Sequence, residues 1–330
     1  AWGKVFDRGH VMLAYEHFDR SNLSSLDRSF FTSDQRPFGG NDYRINRCNP
    51  GTLRIGNTTY AMPAGGLTPD NAGSLVAGTQ NLCEDRLGQD LFPEQKYDSA
   101  ATTFGFEFND RVELFGDGFF SRRQFSRLPA YLTGTLNVPE TNAWFVRPPG
   151  FAGTSYIIEY GFERDLERNR NSGQAKSWQL TPGLRFRLPG DWQVEALVGV
   201  GETKDDANEY RGLNNAALNA ALASSDPATA FDPYGLGRTS AATLAAISDQ
   251  IFFAPTYGDF KGYELRANGR LMTLPGGDLA LAAGLERQDI GVDLGSARGG
   301  PTTPIDWRHF DRTVDSAYLE LNVPIVGAGN

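Results

Sequence analysis

Few residues in this chain have both the type and the spacing that catalysis or metal binding requires. The sequence contains two cysteines, Cys48 and Cys83, and three histidines, His10, His17 and His309. The histidines lie far apart, and no ligand or triad spacing surrounds any of them. A zinc site would need further His or Cys ligands beside the cysteines, and the sequence offers none. We therefore predict no catalytic residue, no metal site and no cofactor.

Two weaker patterns also fail as chemical motifs. The segment from Gly199 to Lys204 has the glycines and lysine of a phosphate loop, but the full Gly-x-x-x-x-Gly-Lys-Ser/Thr spacing is missing. The acidic pairs Glu84-Asp85 and Asp205-Asp206 fall in connecting segments, where solvated surface charge is the simplest explanation. Any function must therefore come from how the elements are arranged.

Composition excludes two classes of protein. The 330 residues carry a formal net charge of −9, so the basic surface that nucleic acid requires is absent. No run of 18 apolar residues occurs, which excludes a transmembrane helix. The mean hydropathy of −0.40 does not exclude a membrane β-barrel, since such a wall needs an apolar residue only at every second position.

The clearest structural pattern runs from Ser177 to Val200 and predicts a hairpin. Side chains alternate between the two faces of a strand, and apolar and polar residues alternate here in both arms. In the first arm Trp178 and Phe186 share one face, and Arg185 lies on the other. Pro189-Gly190 between the arms is typical of a tight turn that joins antiparallel strands.

The same pattern recurs along the chain. The segments predicted as strands are Gly9–Phe18, Thr102–Phe108, Val112–Phe125, Ser177–Leu188, Trp192–Val200, Tyr263–Leu271, Leu279–Leu285 and Ala317–Val323. Long irregular regions separate the hairpins, at about 19–98, 126–176, 201–259 and 293–311. Within these regions we expect a strand extension at Ser155–Arg164 and helices at Leu213–Ala223 and Ser240–Ile251.

All tight turns then fall at one edge of the sheet and all long loops at the other. Such loops are uncommon in compact soluble domains, and the strands are longer than average. This asymmetry is typical of outer-membrane barrels. We predict one all-β domain over residues 1–330, an antiparallel up-and-down transmembrane β-barrel segment. It would have about seven to nine long strands, short periplasmic turns, and long extracellular loops with short helices.

Aromatic residues at or near the predicted strand ends favour the membrane interpretation, because barrels carry aromatic girdles at both interfaces. These residues are Tyr15, Phe108, Trp178, Phe186, Trp192 and Tyr263. The alternative is a secreted, carbohydrate-binding β-sandwich that has the same aromatics in its core.

Four segments resemble a known family in their order and spacing. They are DRSNLSSLDRSFF (Asp19–Phe31), the cysteine-bearing pair NRCNPGTLR (Asn46–Arg54) and GTQNLCEDR (Gly78–Arg86), FNDRVELFGDGFFSRRQF (Phe108–Phe125), and LNNAALNAALASSDPATAFDPYG (Leu213–Gly235). Together they resemble the barrel portion of TonB-dependent outer-membrane receptors of the large-loop type.

The resemblance implies a transporter and not an enzyme. It would take up a scarce nutrient, such as an iron chelate, a vitamin or a carbohydrate, across the outer membrane of a Gram-negative bacterium. The implied partners are outer-membrane lipid and lipopolysaccharide, the receptor's plug domain and, through it, TonB, and a small-molecule ligand. No plug, TonB box or C-terminal aromatic strand is recognisable, so we expect a piece of a longer protein. A passive channel or small stand-alone barrel is the alternative.

The barrel interpretation also assigns individual residues. In the oxidising compartments outside the cytoplasm, two cysteines in one loop favour a disulfide between Cys48 and Cys83. The charges predicted to face the lumen are Arg185, Arg187, Glu195, Glu264, Arg266, Arg270, Glu286 and Glu320. We expect them to form cross-strand ion pairs and plug contacts before any substrate contact. The loop aromatics predicted to stack on a ligand are Tyr131, Trp144, Phe145, Tyr234, Tyr257 and Trp307.

Overall fold

A computed structural model describes residues 1–206 and 210–325. Strands hold 56% of the residues and helices 8%, so the chain is all-β. The strands are β1 (Trp2–Phe6), β2 (Gly9–Arg20), β3 (Leu23–Ser24), β4 (Thr52–Ile55), β5 (Thr58–Ala61), β6 (Asp90–Phe92), β7 (Glu94–Asn109), β8 (Val112–Arg127), β9 (Thr133–Pro139), β10 (Ser155–Gly161), β11 (Asn171–Leu188), β12 (Trp192–Asp205), β13 (Tyr210–Gly212), β14 (Gln250–Phe253), β15 (Thr256–Leu274), β16 (Gly277–Gly299) and β17 (Asp306–Asn322). The α-helices are α1 (Asn215–Ala223) and α2 (Ala241–Ile247), and 3-10 turns cover Ser25–Asp27, Arg36–Phe38 and Ala72–Ser74.

The main sheet is antiparallel throughout and follows the order β1-β2-β7-β8-β11-β12-β15-β16, with β17 paired to β16. A short branch, β14 and then β13, pairs with the last residues of β16. The sheet is not closed on itself, because β1 and β17 form its two edges. Eight of its strands in the described ranges are 12 to 23 residues long.

Four tight turns lie at one edge of the main sheet, at residues 7–8, 110–111, 189–191 and 275–276. Since neighbouring strands are antiparallel, every longer connection lies at the opposite edge. We call these connection 1 (residues 21–93), connection 2 (128–170) and connection 3 (206–255). The turn at 7–8 and the strand β1 were not predicted individually, because the first residues have no partner segment before them in the sequence.

The predicted strands are correct in position but too short at the loop edge. β11 begins at Asn171 rather than Ser177, and β16 continues to Gly299 rather than ending at Leu285. Backbone pairing persists there although the apolar alternation has ended. The predicted fourth long loop, 293–311, is therefore wrong, because only residues 300–305 join β16 to β17.

The main sheet has two chemically different faces. One, the apolar face, carries Leu265, Leu285 and Leu319, whose exposed fractions are 50%, 60% and 74%. The other, the charged face, carries Arg185 and Glu195, which the register places directly opposite each other. Period-2 alternation predicted both faces, and the register keeps each face continuous from strand to strand.

Glycines at several positions let an aromatic ring from a neighbouring strand lie flat on the main sheet. A Cβ atom added to Gly284 would lie 2.2 Å from the Tyr318 ring, closer than real Cβ contacts allow. Such aromatic cover of a strand glycine restores packing where the glycine has no side chain. The pairs are Gly116 with Phe104, Gly183 with Phe115, Gly199 with Phe260, Gly269 with Trp192, and Gly284 with Tyr318.

Connections 1, 2 and 3 fold together into one unit, which we call the loop domain. A second sheet, ordered β5-β4-β10-β9, joins two strands from connection 1 with two from connection 2. Helices α1 and α2 of connection 3 complete it. The prediction that Ser155–Arg164 extends a strand of the main sheet is therefore wrong, because β10 belongs to this separate sheet.

The buried core of the protein lies in the loop domain. All three connections contribute to it, for example Leu53, Tyr160 and Ile247, each with no exposed surface. Burial of such side chains is the main stabilising contribution to a folded unit. The buried members are Leu53, Met62, Leu67, Ala72, Leu136, Val138, Val146, Tyr156, Ile158, Tyr160, Phe162, Leu218, Ala221, Leu222, Phe231, Tyr234 and Ile247.

Both predicted helices are present and each begins at a side-chain cap. The side chain of Asn214 accepts from the Ala217 N–H at the start of α1, and Ser240 accepts from the Thr243 N–H at the start of α2. The second helix is shorter than predicted, because the chain turns into β14 at Gln250. None of the helices in the described ranges is long and apolar enough to cross a lipid bilayer.

One buried carboxylate ties the loop domain to the main sheet. Asp90, only 2% exposed, accepts hydrogen bonds from the Asn22 side chain, the Leu128 backbone N–H and the Arg170 guanidinium at 2.6, 2.7 and 3.0 Å. These partners lie where connections 1 and 2 leave the main sheet. The bases of both connections are thus joined at a single residue.

Candidate functional site

The charged face carries a continuous row of alternating charges near the turn edge. Arg185 on β11 contacts Glu113 on β8 at 2.9 Å and Glu195 on β12 at 2.5 Å. The other oxygen of Glu195 contacts Arg266 on β15. Glu195 is therefore held between two guanidinium groups, although only 3% of it is exposed. Such charge-assisted pairs are stronger than neutral hydrogen bonds.

The row continues at both ends. Arg187 contacts Glu107 on β7 and Glu113 on β8, each at 2.9 Å, and Arg266 contacts Glu264 at 3.4 Å. Four carboxylates and three guanidiniums thus alternate across β7, β8, β11, β12 and β15. We call this set the charge ladder, and its members are Glu107, Glu113, Arg185, Arg187, Glu195, Glu264 and Arg266.

The charge ladder largely neutralises itself. Each arginine has a carboxylate on a neighbouring strand, and the guanidinium of Arg185 also lies 4.5 Å from the ring centre of Phe115. The expected cross-strand pairing is therefore present for four of the predicted charges, Arg185, Arg187, Glu195 and Arg266, and Glu264 contacts Arg266 within β15. These contacts fix a rigid polar strip on one face of the sheet.

The three remaining predicted charges lie on the same face outside the ladder. Arg270 contacts Asp191 at 2.9 Å and Asp278 at 3.7 Å, both beside tight turns. Glu286 lies directly opposite Glu264, and Glu320 lies opposite Ala282. The two facing glutamates add negative charge next to the end of the ladder.

Sequence reasoning missed two ladder members, Glu107 and Glu113. The strand of Glu113, β8, looked irregular because Phe115 and Phe119 lie on the charged face and interrupt the contrast between faces. Counting alternate positions from the tight turn at 110–111 would have identified Glu113. This count places Glu113 on the same face as Arg185, which is the direct partner of Glu113 in the register.

The six loop aromatics predicted to contact a ligand do not converge. Tyr234 is fully buried in the loop domain, where its hydroxyl lies 2.6 Å from the Tyr156 hydroxyl and accepts from the Val146 N–H. The expectation that Tyr234 meets a ligand is therefore wrong. Burial raises the pKa of the Tyr234 hydroxyl to about 12 and raises the pKa of Tyr156 further.

Trp144 and Phe145 lie at the margin of the same core. The guanidinium of Arg238 lies 4.2 Å from the Trp144 ring centre, and Phe145 stacks on Tyr156 with ring centres 4.9 Å apart. The indole Nε1 of Trp144 is buried and has no hydrogen-bond partner among the described residues. Both rings are only partly exposed.

The other three aromatics lie elsewhere. Tyr131 in connection 2 is covered by the Arg168 guanidinium at 4.2 Å from its ring centre. Tyr257 and Trp307 contact each other, with ring centres 5.1 Å apart, on the loop-edge part of the apolar face. They lie on the side of the sheet opposite the charge ladder. No single pocket contains the six predicted residues within the described ranges.

The disulfide prediction is confirmed, since Cys48 and Cys83 are joined within connection 1. The adjacent Glu84 accepts hydrogen bonds from the Thr32 hydroxyl and the Ser33 N–H. Disulfide and carboxylate together hold the base of a projecting segment, residues 30–44. This segment presents the exposed aromatic ring of Phe38.

Paired Asp and Arg side chains stiffen the projecting segment. Arg36 contacts Asp34 at 2.7 Å and Asp42 at 3.4 Å, and Arg44 contacts Asp42 at 2.8 Å. Hydrogen bonds from Arg44 lower the pKa of Asp42 to about 2. These residues form a rigid, water-exposed surface without a catalytic geometry.

The interior of the loop domain holds a cluster of polar groups around Asn49. Asn49 donates to the Tyr160 hydroxyl at 2.9 Å and to Asp165 at 3.0 Å, and the Tyr160 hydroxyl donates to Asp165 at 2.6 Å. Burial raises the pKa of Asp165 and of the neighbouring Glu163. The cluster joins connections 1 and 2 and is closed to solvent at Tyr160.

Within residues 1–206 and 210–325, no three His, Cys, Asp or Glu side chains are placed to hold a metal ion. What the chain offers is two exposed sheet faces, a charge ladder and a structured loop domain at one edge. No protein-family model matches the chain, and no curated protein matches its sequence.

Proposed function

We propose that the chain forms part of the wall and outer loops of an outer-membrane β-barrel receptor. The receptor would be of the TonB-dependent kind and would take up a scarce nutrient such as an iron chelate, a vitamin or a carbohydrate. The observation that carries this proposal is the exposed apolar face of the main sheet, which aromatic side chains border at both edges. Water is a poor solvent for such a face, and lipid is a good one.

The height of the apolar face supports this function. Uninterrupted alternation covers Trp178–Leu188, Trp192–Val200 and Tyr263–Leu271, which matches the roughly nine to eleven residues of a strand that crosses a bilayer. Tyr15, Trp178 and Tyr263 border the apolar face toward the loops. Phe108, Phe186 and Trp192 border it toward the turns. Two aromatic rows at this separation are typical of the two membrane interfaces.

The apolar band is the stretch of apolar side chains between the two aromatic rows, and its slope also supports the proposed function. Relative to the paired residues, the loop-side end of the apolar band moves one alternate position toward the turns at each step from β11 to β12, to β15 and to β16. The total of three alternate positions is about 20 Å along the strands. The strands of a barrel tilt by roughly 35–45° from the barrel axis. A membrane surface therefore crosses the rows of paired residues at an angle. The pairs that record the offset are Trp178 with Glu202, Val200 with Lys261, and Tyr263 with Arg287.

The open edges fit a part of a larger wall. β1 and β17 each have one neighbour in the main sheet, so each offers unpaired backbone groups. In lipid such groups must be satisfied, and further strands of the same barrel would satisfy them. The charged face would then line the lumen, where the charge ladder would contact the plug domain.

The loop domain favours a receptor over a simple channel. Its shared core and disulfide hold three long connections in one fixed arrangement at a single end of the sheet. A rigid outer surface of this kind suits the capture of a dilute ligand before transport. Within this proposal the projecting segment 30–44 faces the medium with the exposed rings of Phe30, Phe38 and Tyr43.

The test uses the intact protein in lipid vesicles and two neighbouring labels. A fluorophore at Leu265→Cys should be quenched by lipids that carry a quencher in their acyl chains. The same fluorophore at Glu264→Cys, one residue away, should be quenched only by a water-soluble quencher or shielded by the plug. Equal lipid quenching at both positions, or at neither, would contradict a membrane wall.

A second experiment addresses the TonB-dependent part of the proposal. Uptake should require a coding region for a plug upstream in the same gene and should stop when that region is deleted. Unchanged passage of small solutes after deletion would instead indicate a passive channel.

A further inference from the structure

Three basic residues lie in a row across the apolar face of the sheet, at its loop side. In the register Arg122 on β8 is the direct partner of Lys176 on β11, and Lys176 is the direct partner of Lys204 on β12. Side chains that are direct partners lie about 5 Å apart at their Cβ atoms and point to the same face. Three cations therefore stand side by side.

The row borders the apolar band. Phe120 and Trp178, two residues nearer the turns on the same face, are themselves direct partners and end the band on β8 and β11. Leu180 continues the apolar surface below them, with 40% of its area exposed. The cationic row and an apolar surface are thus adjacent on neighbouring positions of the same strands.

Other cations at this level of the apolar face are arranged differently. Each has an aspartate as its direct partner, which is the usual way for a sheet to balance charge. These pairs are Lys96 with Asp19, Lys261 with Asp289, and Arg287 with Asp315. The row of Arg122, Lys176 and Lys204 differs in that both contacts along it join two cations, although Arg122 also has Asp98 as a direct partner on β7.

Neighbouring acids compensate the row only in part, since Asp98 interacts electrostatically with Arg122 but also has other partners. Asp98, the other direct partner of Arg122, accepts from the Tyr15 hydroxyl at 2.7 Å and contacts His17 at 2.8 Å. Arg122 instead donates to the Gln174 side chain at 3.0 Å. Within the part of the chain that the structure describes, the ion pair of Lys204 is a loose, exposed contact with Glu202 at 3.8 Å.

Like charges in direct register repel, and an anion over the row would relieve that repulsion. We infer that Arg122, Lys176 and Lys204 form a binding site for the phosphate groups of a phosphorylated lipid. Its headgroup would lie on the row, and its acyl chains would lie on the apolar band below Trp178. This inference rests on the proposed membrane function and adds to it a defined lipid site.

Phosphate is the group that the geometry favours. A phosphate presents three acceptor oxygens and accepts charge-assisted hydrogen bonds from Arg and Lys at the same time. Basic side chains next to a bilayer attract anionic headgroups, and their long stems let the charged ends reach the interface. A free phosphate would use the same three cations but would gain nothing from the apolar band.

The test measures lipid retention by the intact receptor in mild detergent. The probes are bis-phosphorylated lipid A, the same lipid without phosphates, and inorganic phosphate. The variant R122Q/K176Q/K204Q should retain at least about tenfold less phosphorylated lipid than the wild type. The dephosphorylated lipid should bind weakly and equally to both proteins, and inorganic phosphate should compete poorly.

The matched control is K96Q/K261Q/R287Q, which removes the same charge from the same face. It should retain phosphorylated lipid as the wild type does. A further variant, Lys176→Glu, places an acid between two cations and should fold normally but lose lipid retention. Equal retention by the wild type and the first triple variant would overturn the site. Competition by inorganic phosphate at the concentration of the lipid would overturn the lipid assignment.

The quenching experiment at Leu265 separates this inference from the proposed function. If Leu265 is quenched by lipid while retention is unchanged in the triple variant, the phosphate site is wrong and the membrane wall stands. If Leu265 is not quenched, both are wrong.

Discussion

The indole of Trp192 lies flat against Gly269, so that a Cβ atom added to Gly269 would lie 2.3 Å from Trp192 Cδ2. No rotation of a side chain at position 269 can avoid this contact, because the Cβ atom itself makes it. The ring must therefore move if the glycine is replaced. The pair belongs to a set of aromatic–glycine contacts between neighbouring strands of the main sheet.

Replacing Gly269 by leucine should destabilise the wall by about 1–3 kcal/mol, the usual effect of overpacking. The measurement is the midpoint of thermal unfolding of the intact protein in detergent. Gly65→Leu is the control, because a Cβ atom at Gly65 meets no atom within 4 Å. The double variant Gly269→Leu/Trp192→Ala should lose less stability than the two single changes add up to. Strict additivity would show that the ring contact does not limit position 269.

Neutralising the centre of the charge ladder should also be costly. Glu195→Gln removes the carboxylate that Arg185 and Arg266 share, and we expect a loss of about 2 kcal/mol, the scale for hydrogen bonds to charged groups. Urea unfolding of the protein in micelles measures it. Glu202→Gln is the control, since its contact with Lys204 is 3.8 Å long and half-exposed. A similar loss in both variants would contradict a special role for Glu195.

Removal of the disulfide should loosen the loop domain. The bond closes a loop of 35 residues, for which the chain-entropy relation gives roughly 3–4 kcal/mol. The variant Cys48→Ala/Cys83→Ala should be cut by trypsin within connection 1 much faster than the wild type. Reductant should accelerate cleavage of the wild type and leave the variant unchanged. Resistance of both proteins would mean that the core alone holds connection 1.

The loop domain should lose stability at high pH. The folded pKa of Tyr234 lies near 12, above the usual value of 10, so the unfolded chain releases this proton first. The stabilisation is complete below pH 10 and is lost as the pH rises toward 12, by about 1.4 kcal/mol per pH unit for each such group. The fluorescence of a variant that keeps Trp144 as its one tryptophan, followed during urea unfolding at pH 8 to 12, measures it.

Two phenylalanine variants test the source of that pH dependence. Tyr234→Phe should be less stable by about 1 kcal/mol at pH 8, through the lost hydrogen bonds, and should show a shallower fall above pH 10. Tyr43→Phe, at an exposed position, should follow the wild-type profile. Parallel profiles for Tyr234→Phe and the wild type would exclude Tyr234 as the titrating group.

Local alternation was sufficient to predict the sheet faces. Leu265 and Glu264 were assigned to opposite faces because strand side chains alternate with period 2, and the register agrees. The same rule failed at Asn171–Lys176 and at Ser296–Gly299, where strands continue without an apolar face. There pairing with a neighbour, which the sequence of one strand does not contain, extends the strand.

The loop domain was beyond such reasoning. Tyr234 looked like an exposed loop aromatic because its partners, Tyr156 and Val146, lie about 80 residues away in another connection. The row of Arg122, Lys176 and Lys204 was hidden for a related reason. Each residue is unremarkable in its own strand, and only the register between strands brings the three together.

The shared core of the loop domain sets an order of events during assembly. Synthesis proceeds from the N-terminus, so Leu53 and Tyr160 exist well before Ile247, the last buried residue of that core. Until Ile247 arrives, the earlier segments lack part of their apolar contacts. The core can therefore close only after the hairpins β7–β8 and β11–β12 have both been made. Its closure then locks those hairpins in their sequence order as neighbours.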